Sequence, residues 1–197
     1  MQYEAFAELA KTRINVSPRR LVAPGPQEAQ LDALLSLAAA APDHGQLAPW
    51  RFVLVPAAAR QRLGEAFGCA LKERDPLASD EDITKAIEKA HRAPMVLTAI
   101  VRLAGEQDIE IPALERAVSF GAAIQNVLLG AHAMGFGAGL TSGKAMWSRS
   151  VRDLFELDPH EHAVCCINIG TIAKAHPARG NRRKPAEILR VLGAAQP

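Results

Sequence analysis

From Ala117 to Gly143 the chain carries no charged residue. A run of that length must be hidden, either in a bilayer or in a protein core. It does not read as a membrane span. Ser119, Gln125, Asn126 and His132 interrupt it and a glycine cluster ends it, whereas a spanning helix needs about 20 predominantly apolar residues. The expectation is a central helix from about Ala113 to Met134, buried on most sides. Its apolar surface exceeds what a 197-residue monomer with a small sheet readily covers. Self-association would bury its second face, through a large, core-like interface.

Shorter elements surround this helix. Gln2 to Lys11 reads as an amphipathic helix with Phe6, Leu9 and Ala10 on one side. Arg13 to Pro26 reads as irregular, and Pro26 suits the first position of the next helix, where its missing N–H costs nothing. In that helix Leu31, Leu34, Leu35 and Ala38 keep the spacing of one apolar face, and Pro42 ends it. Trp50 to Val55 and Met95 to Leu103 are rich in strand formers. Ala163 to Ile169 is a continuous apolar strand, hence central in its sheet. Helices are expected over Ala57–Lys72 and Ile83–Arg92, and Ser148 is a candidate N-cap for a short helix to Glu156. Helices outnumber strands and do not alternate with them one for one. The expected class is α+β, with helices covering a small sheet.

Composition narrows the function. The net charge of +2 is too weak to imply nucleic acid by bulk electrostatics. Basic residues gather in Lys174, Arg179, Arg182, Arg183, Lys184 and Arg190, a run suited to a phosphate or to a solvated tail. It contains no aromatic residue for stacking on bases. Cys69, Cys165 and Cys166 form no disulfide framework or zinc pattern. Residues 1–11 include Glu4 and Glu8 and no long apolar run, so no secretory signal is expected. A reducing cytoplasm is the expected compartment.

Several motifs fail on inspection. Gly135, Gly137 and Gly139 follow a helix instead of a strand, and Leu140 stands where a dinucleotide fingerprint needs its third glycine. Either a helix stop followed by close backbone packing or a ligand loop explains them. The stretch Ala138 to Ala145 misses two of the P-loop's defining positions. Its Thr141 and Ser142 would still suit a neutral heteroaromatic ring. His160-Glu161-His162 lacks the zinc-helix spacing and reads as a turn. No metal site and no Ser or Cys nucleophile emerges.

Two segments remain. Arg13-Ile-Asn-Val-Ser-Pro-Arg-Arg-Leu21 sets three guanidinium forks in a Pro-stiffened turn, as a phosphate grip or a solvated loop would. Ala40-Ala-Pro-Asp-His-Gly-Gln-Leu-Ala-Pro-Trp-Arg-Phe52 puts an Asp-His pair at a corner between helix and strand. It reads either as a site or as a helix stop with a surface histidine.

Taken together and in this order, Ala41-Pro-Asp-His-Gly45 with Pro49-Trp-Arg-Phe52, Gly135-Phe-Gly137 with Ser142-Gly143, and Ile169-Gly-Thr171 resemble the nitroreductase family of flavoproteins, in its short, minimal-length branch. The resemblance covers nearly the whole chain. Where the family often opens with Arg-Arg-Ser, Arg13-Ile14-Asn15 stands here. The resemblance implies a single domain over 1–197 with a nitroreductase-like, FMN-dependent α+β fold. Its small, mostly antiparallel sheet is flanked by helices, residues 172–197 form an extended basic arm, and two copies make a homodimer. It implies FMN at the subunit interface. Arg13, Ile14 and Asn15 would lie along the phosphate, ribityl chain or pyrimidine edge, and Leu140, Thr141 and Ser142 along the ring. Ala40 and His44 would come from the other subunit, and Arg182 or Arg183 would add to phosphate binding.

The implied activity is transfer of hydride from NAD(P)H through the flavin to a nitroaromatic, quinone or related small-molecule acceptor, with ping-pong kinetics. No catalytic side chain is then required. The flavin N5 carries the chemistry, and the protein stacks each reactant about 3–3.5 Å from it. The alternative is a non-enzymatic flavin-binding dimer, a carrier or sensor. Neither nucleic acid nor membrane is an expected partner.

Overall fold

The computed structural model describes residues 2–104, 111–174 and 182–193. Five strands form one sheet: β1 (Leu21–Val22), β2 (Trp50–Leu54), β3 (Met95–Arg102), β4 (Gly137–Thr141) and β5 (Glu161–Ile172). Every pairing is antiparallel. The order is β1-β5-β3-β2, and β4 also pairs with β5. Central placement of the continuous apolar strand follows, since β5 takes partners along both edges.

Around the sheet lie α1 (Gln2–Thr12), α2 (Glu28–Ala39), α3 (Arg60–Arg74), α4 (Asp80–Glu88), α5 (Ala113–Ala133), α6 (Arg149–Leu154) and α7 (Pro185–Ile188). Alternation along β3 explains the layering. Met95, Leu97, Ala99 and Val101 point into one apolar cluster with Leu34 of α2 and Phe120, Ala123 and Val127 of α5. Val96 and Ile100 point into a second, with Leu63 and Ala66 of α3 and Val151 of α6. Residues two apart on a strand share a face, so a strand buried on both faces is apolar at nearly every position. A register shift between Ala99 and Ile100, opposite Cys165 and Ala163, leaves Val164 as the extra residue of a bulge.

Two local expectations change, at Pro26 and at His160–His162, and the glycine cluster resolves as a helix stop with close backbone packing. Pro26 does not open α2. The helix begins at Glu28, with Gln27 as its N-cap and the Gln30 side chain accepting from the Gln27 N–H at 2.9 Å. The glycine cluster divides its work. Gly135, at φ +83°, closes α5: its N–H donates to His132 O and the Phe136 N–H to Ala131 O, at 3.0 and 2.9 Å. Gly137 and Gly139 belong to a strand, β4. The supposed turn at His160–His162 is already β5 from Glu161, whose carboxylate takes Arg51 Nε at 2.7 Å and Nη2 at 2.9 Å.

The long helix is half covered, not buried on most sides. Phe120, Ala123, Val127 and Ala131 are buried, while Leu114 and Val118 remain 75% and 66% exposed. Among the described residues, no helix is long and apolar enough to cross a membrane.

Candidate functional site

The segment after α1 lies against β4. Val16 N–H donates to Ala138 O at 2.9 Å, and Leu140 N–H donates to Asn15 Oδ1 at 2.8 Å. The approach is close enough that a Cβ on Gly139 would collide with the Val16 carbonyl oxygen. This is why a residue without a side chain occupies the strand there.

From the far side of β4, Asn168 of β5 fastens the same strand. Only 3% exposed, it donates from Nδ2 to Gly139 O at 3.2 Å and to Thr141 Oγ1 at 2.9 Å. With one Thr141 lone pair so engaged, the hydroxyl proton is left to donate elsewhere. Asn168 was not among the sequence candidates. Its signal was a polar residue in the otherwise apolar run from Ala163 to Ile169.

Thr141 and Ser142 open onto a cavity of about 890 Å³. Its apolar wall comes from Leu63, Phe67 and Leu71 of α3 and from Val96. Cys166 also faces it, but burial pushes that thiol up to about 11, so it stays protonated at neutral pH. The neighbouring Arg60 is committed to structure. It donates to the carbonyls of Val55, Ala90, Ala93 and Pro94.

Arg13 ends α1, its N–H donating to Leu9 O at 3.2 Å. Its Nε is buried and finds no hydrogen-bond partner among the described residues. Such a group costs free energy unless something meets it. Of the two arm arginines offered for phosphate binding, Arg182 and Arg183, Arg182 lies beside this turn, donating to Arg13 O at 2.8 Å and Ala10 O at 3.0 Å. Residues 175–181 and 194–197 of the arm, Arg179 included, lie outside the described residues. Ile14 packs its side chain into the second apolar cluster.

The structure therefore brings Arg13, Ile14 and Asn15 together with Leu140 and, through Asn168, Thr141. Ala40 and His44 stand apart. Ala40 is exposed after the end of α2. His44 is exposed in the following turn, its Nδ1 2.7 Å from Glu115 Oε2 of α5. Neither lines the cavity; of the sequence candidates only Thr141 and Ser142 do, and Arg13, Ile14, Asn15 and Leu140 lie outside its lining.

The model of the "Nitroreductase family" matches residues 16–171. A candidate NAD(P)H nitroreductase of Haemophilus influenzae is 31% identical over 155 residues, 79% of this chain and 83% of that protein. The candidate NAD(P)H nitroreductase YdjA of Escherichia coli is 31% identical over 159 residues, with 79% and 82% covered. Among solved structures, a nitroreductase-like family protein from Bacillus cereus superposes with a TM-score of 0.78 at 22% identity, covering 95% of this chain and 96% of that one. The FMN-dependent nitroreductase NfnB from Mycobacterium smegmatis, solved in complex with NADPH, gives 0.75 at 19% identity, covering 97% and 99%.

Proposed function

The chain belongs to the nitroreductase family, and on that premise we propose that it is an FMN-dependent oxidoreductase. It takes hydride from NAD(P)H and delivers electrons to a nitroaromatic, quinone or related acceptor, in ping-pong order. The observation that carries this reading is the buried, unpartnered Nε of Arg13, two residues before the Asn15 that grips β4, whose Thr141 lines the cavity.

The residues present fit the cofactor. FMN joins a dianionic phosphate to a large, mostly apolar ring. Arg13 and Arg182 supply cations at one end, and the end of β4 supplies an edge of backbone and hydroxyl groups. FMN, when bound, supplies the two-electron chemistry. The chain's own work is to hold and enclose. Asn15 fixes the Leu140 amide, Asn168 orients Thr141, and Thr141 and Ser142 present hydroxyls to the ring edge. Leu63, Phe67 and Leu71 exclude water from the space where donor and acceptor take turns.

The active form in this reading is a homodimer. Leu114 and Val118 of α5, with Tyr3 and Phe6 of α1, leave large apolar side chains in water on a single chain. Burying them against a second copy would bring Ala40 and His44 to the partner's flavin. The arm adds Ile188, Leu189, Val191 and Leu192, all exposed in one chain. Residues 1–197 form one domain with residues 172–197 as its arm, working in a reducing cytoplasm that leaves the cysteines as thiols.

The purified protein is expected to be yellow, to run at twice the 21.1 kDa of one chain, and to oxidise NADH or NADPH in the presence of a quinone. Arg13→Ala should lose flavin far more readily than Lys72→Ala. A preparation colourless after incubation with FMN would overturn the reading. Bound flavin without NAD(P)H oxidation under saturating acceptor would favour a carrier or sensor.

A further inference from the structure

The mouth of the cavity is more cationic than the flavin reading requires. Arg19, Arg74, Lys85, Lys89, Arg92 and Lys144 line it, against Asp75 and Asp82. The two carboxylates are occupied locally. Asp75 accepts the Leu77 N–H at 3.1 Å and Asp82 the Ser79 hydroxyl at 2.7 Å. Lys85 is paired with Glu81 at 2.5 Å.

Arg19 and Arg92, both in that lining, are near enough for their charges to act on each other. Arg19 lies in the single helical turn Pro18–Arg20, and Arg92 sits just before β3. No ion pair holds either side chain among the described residues. Arg92 is half-buried, and burial, then the like charge of Arg19, pull its affinity for a proton down, with only Glu88 acting the other way. Two guanidinium groups in one cavity mouth repel each other, and an anion between them would relieve both. Arginine's planar fork suits a phosphate or carboxylate. The apolar wall of Leu63, Phe67 and Leu71 next to them suits a ring.

We propose that Arg19 and Arg92 form an anion subsite at the mouth of the cavity, which receives a phosphate or carboxylate borne by the small molecule that enters it. The ligand is thus amphiphilic, a ring against Leu63, Phe67 and Leu71 and an anionic group toward the two arginines. This rests on the reading of the cavity as the place where donor and acceptor bind. The anion belongs either to the nicotinamide dinucleotide or to the acceptor.

The test uses the flavin-loaded protein, without turnover, in calorimetric titrations at low salt. The probes are 4-nitrobenzoate, its neutral analogue 4-nitrobenzamide, and NADP+. If the acceptor carries the anion, the carboxylate should bind about tenfold tighter than the amide. Arg19→Gln/Arg92→Gln should abolish that preference and leave amide affinity within about twofold. If the dinucleotide carries it, the double variant should weaken NADP+ by about tenfold with amide affinity unchanged.

Loss of neither the carboxylate preference nor NADP+ affinity would overturn the proposal. So would equal losses for the amide. Should the double variant fail to fold, Arg19→Gln alone, at an exposed position, should show about a threefold loss in one arm. Its absence would be equally decisive. A protein that retains no flavin but keeps an arginine-dependent carboxylate preference would sink the flavin reading and uphold this one.

Discussion

Asn15 Oδ1 accepts the Leu140 amide hydrogen at 2.8 Å across 125 positions of sequence. That contact, with Val16 N–H on Ala138 O, joins the turn after α1 to the strand that ends at the cavity. A side chain thus does work that a ladder hydrogen bond would otherwise do. Replacing Asn15 by Ala leaves the Leu140 N–H to water, since Leu140 is at the surface. The expected loss in urea unfolding is about 0.5–1.5 kcal/mol. Flavin dissociation should accelerate by a larger factor than the stability change requires, because both sides of the proposed cofactor edge become free to move. Dialysis rates of wild type and variant would show it. Identical rates would mean that Asn15 holds the strand but not the ligand.

Acid sensitivity should centre on Glu161. The Arg51 guanidinium, bonded to both carboxylate oxygens, holds it below its usual value near 4.5. A lowered folded-state value means the stabilisation is fully present above the unfolded-state value and is lost as pH falls through the folded one. Arg51 is partly exposed, which screens the pair. The effect is therefore about 1 kcal/mol at neutral pH. Thermal midpoints of wild type and Glu161→Gln should differ at pH 7 and converge below the usual carboxylate range. A constant gap across that range would assign the difference to packing.

These two contacts mark what the sequence made legible and what it did not. Strand formers at Trp50–Val55, the two-sided apolar β3 and the apolar core of β5 fall where their patterns put them, because burial leaves a period in the side chains. β4 leaves none. Gly137, Ala138 and Gly139 are nearly bare backbone, and only their neighbours, Val16, Leu21 and Ile172, reveal why. The same limit hid Asn168 and the nearness of Arg19 to Arg92, which depend on how distant elements dock. Arg13, Asn15, Leu140 and Thr141 could be proposed together only through family resemblance. Spacing offered a basic turn and a glycine cluster with nothing to join them.

Thiol reactivity should separate the three cysteines. Cys69 is exposed, whereas Cys165 and Cys166 are buried, and burial pushes those thiols up to about 12 and about 11. At pH 8 a thiol near 11 is thiolate in only about one molecule in a thousand. Iodoacetamide should therefore add once to the native protein and three times in denaturant, by intact mass. Rapid native labelling at Cys166 would show that the cavity floor opens to solvent.

Two glycines of β4 offer a sharper comparison. A Cβ at Gly137 would lie 2.6 Å from Ile172 Cγ1 and 2.8 Å from Leu21 Cδ2, both side-chain atoms that can rotate aside. At Gly139 the obstacle is the Val16 carbonyl, with Asn15 Oδ1 3.3 Å away, and backbone cannot rotate aside. Gly139→Ala must push residues 15 and 16 off the strand, breaking the bonds to Leu140 and Ala138 together. Its expected cost is about 1–3 kcal/mol, accompanied by loss of flavin from the purified protein. Gly137→Ala should cost less and keep its colour. The ratio of flavin to protein, with a urea midpoint for each variant, checks both outcomes. Equal retention in the two would remove the turn at Arg13–Val16 from the cofactor site.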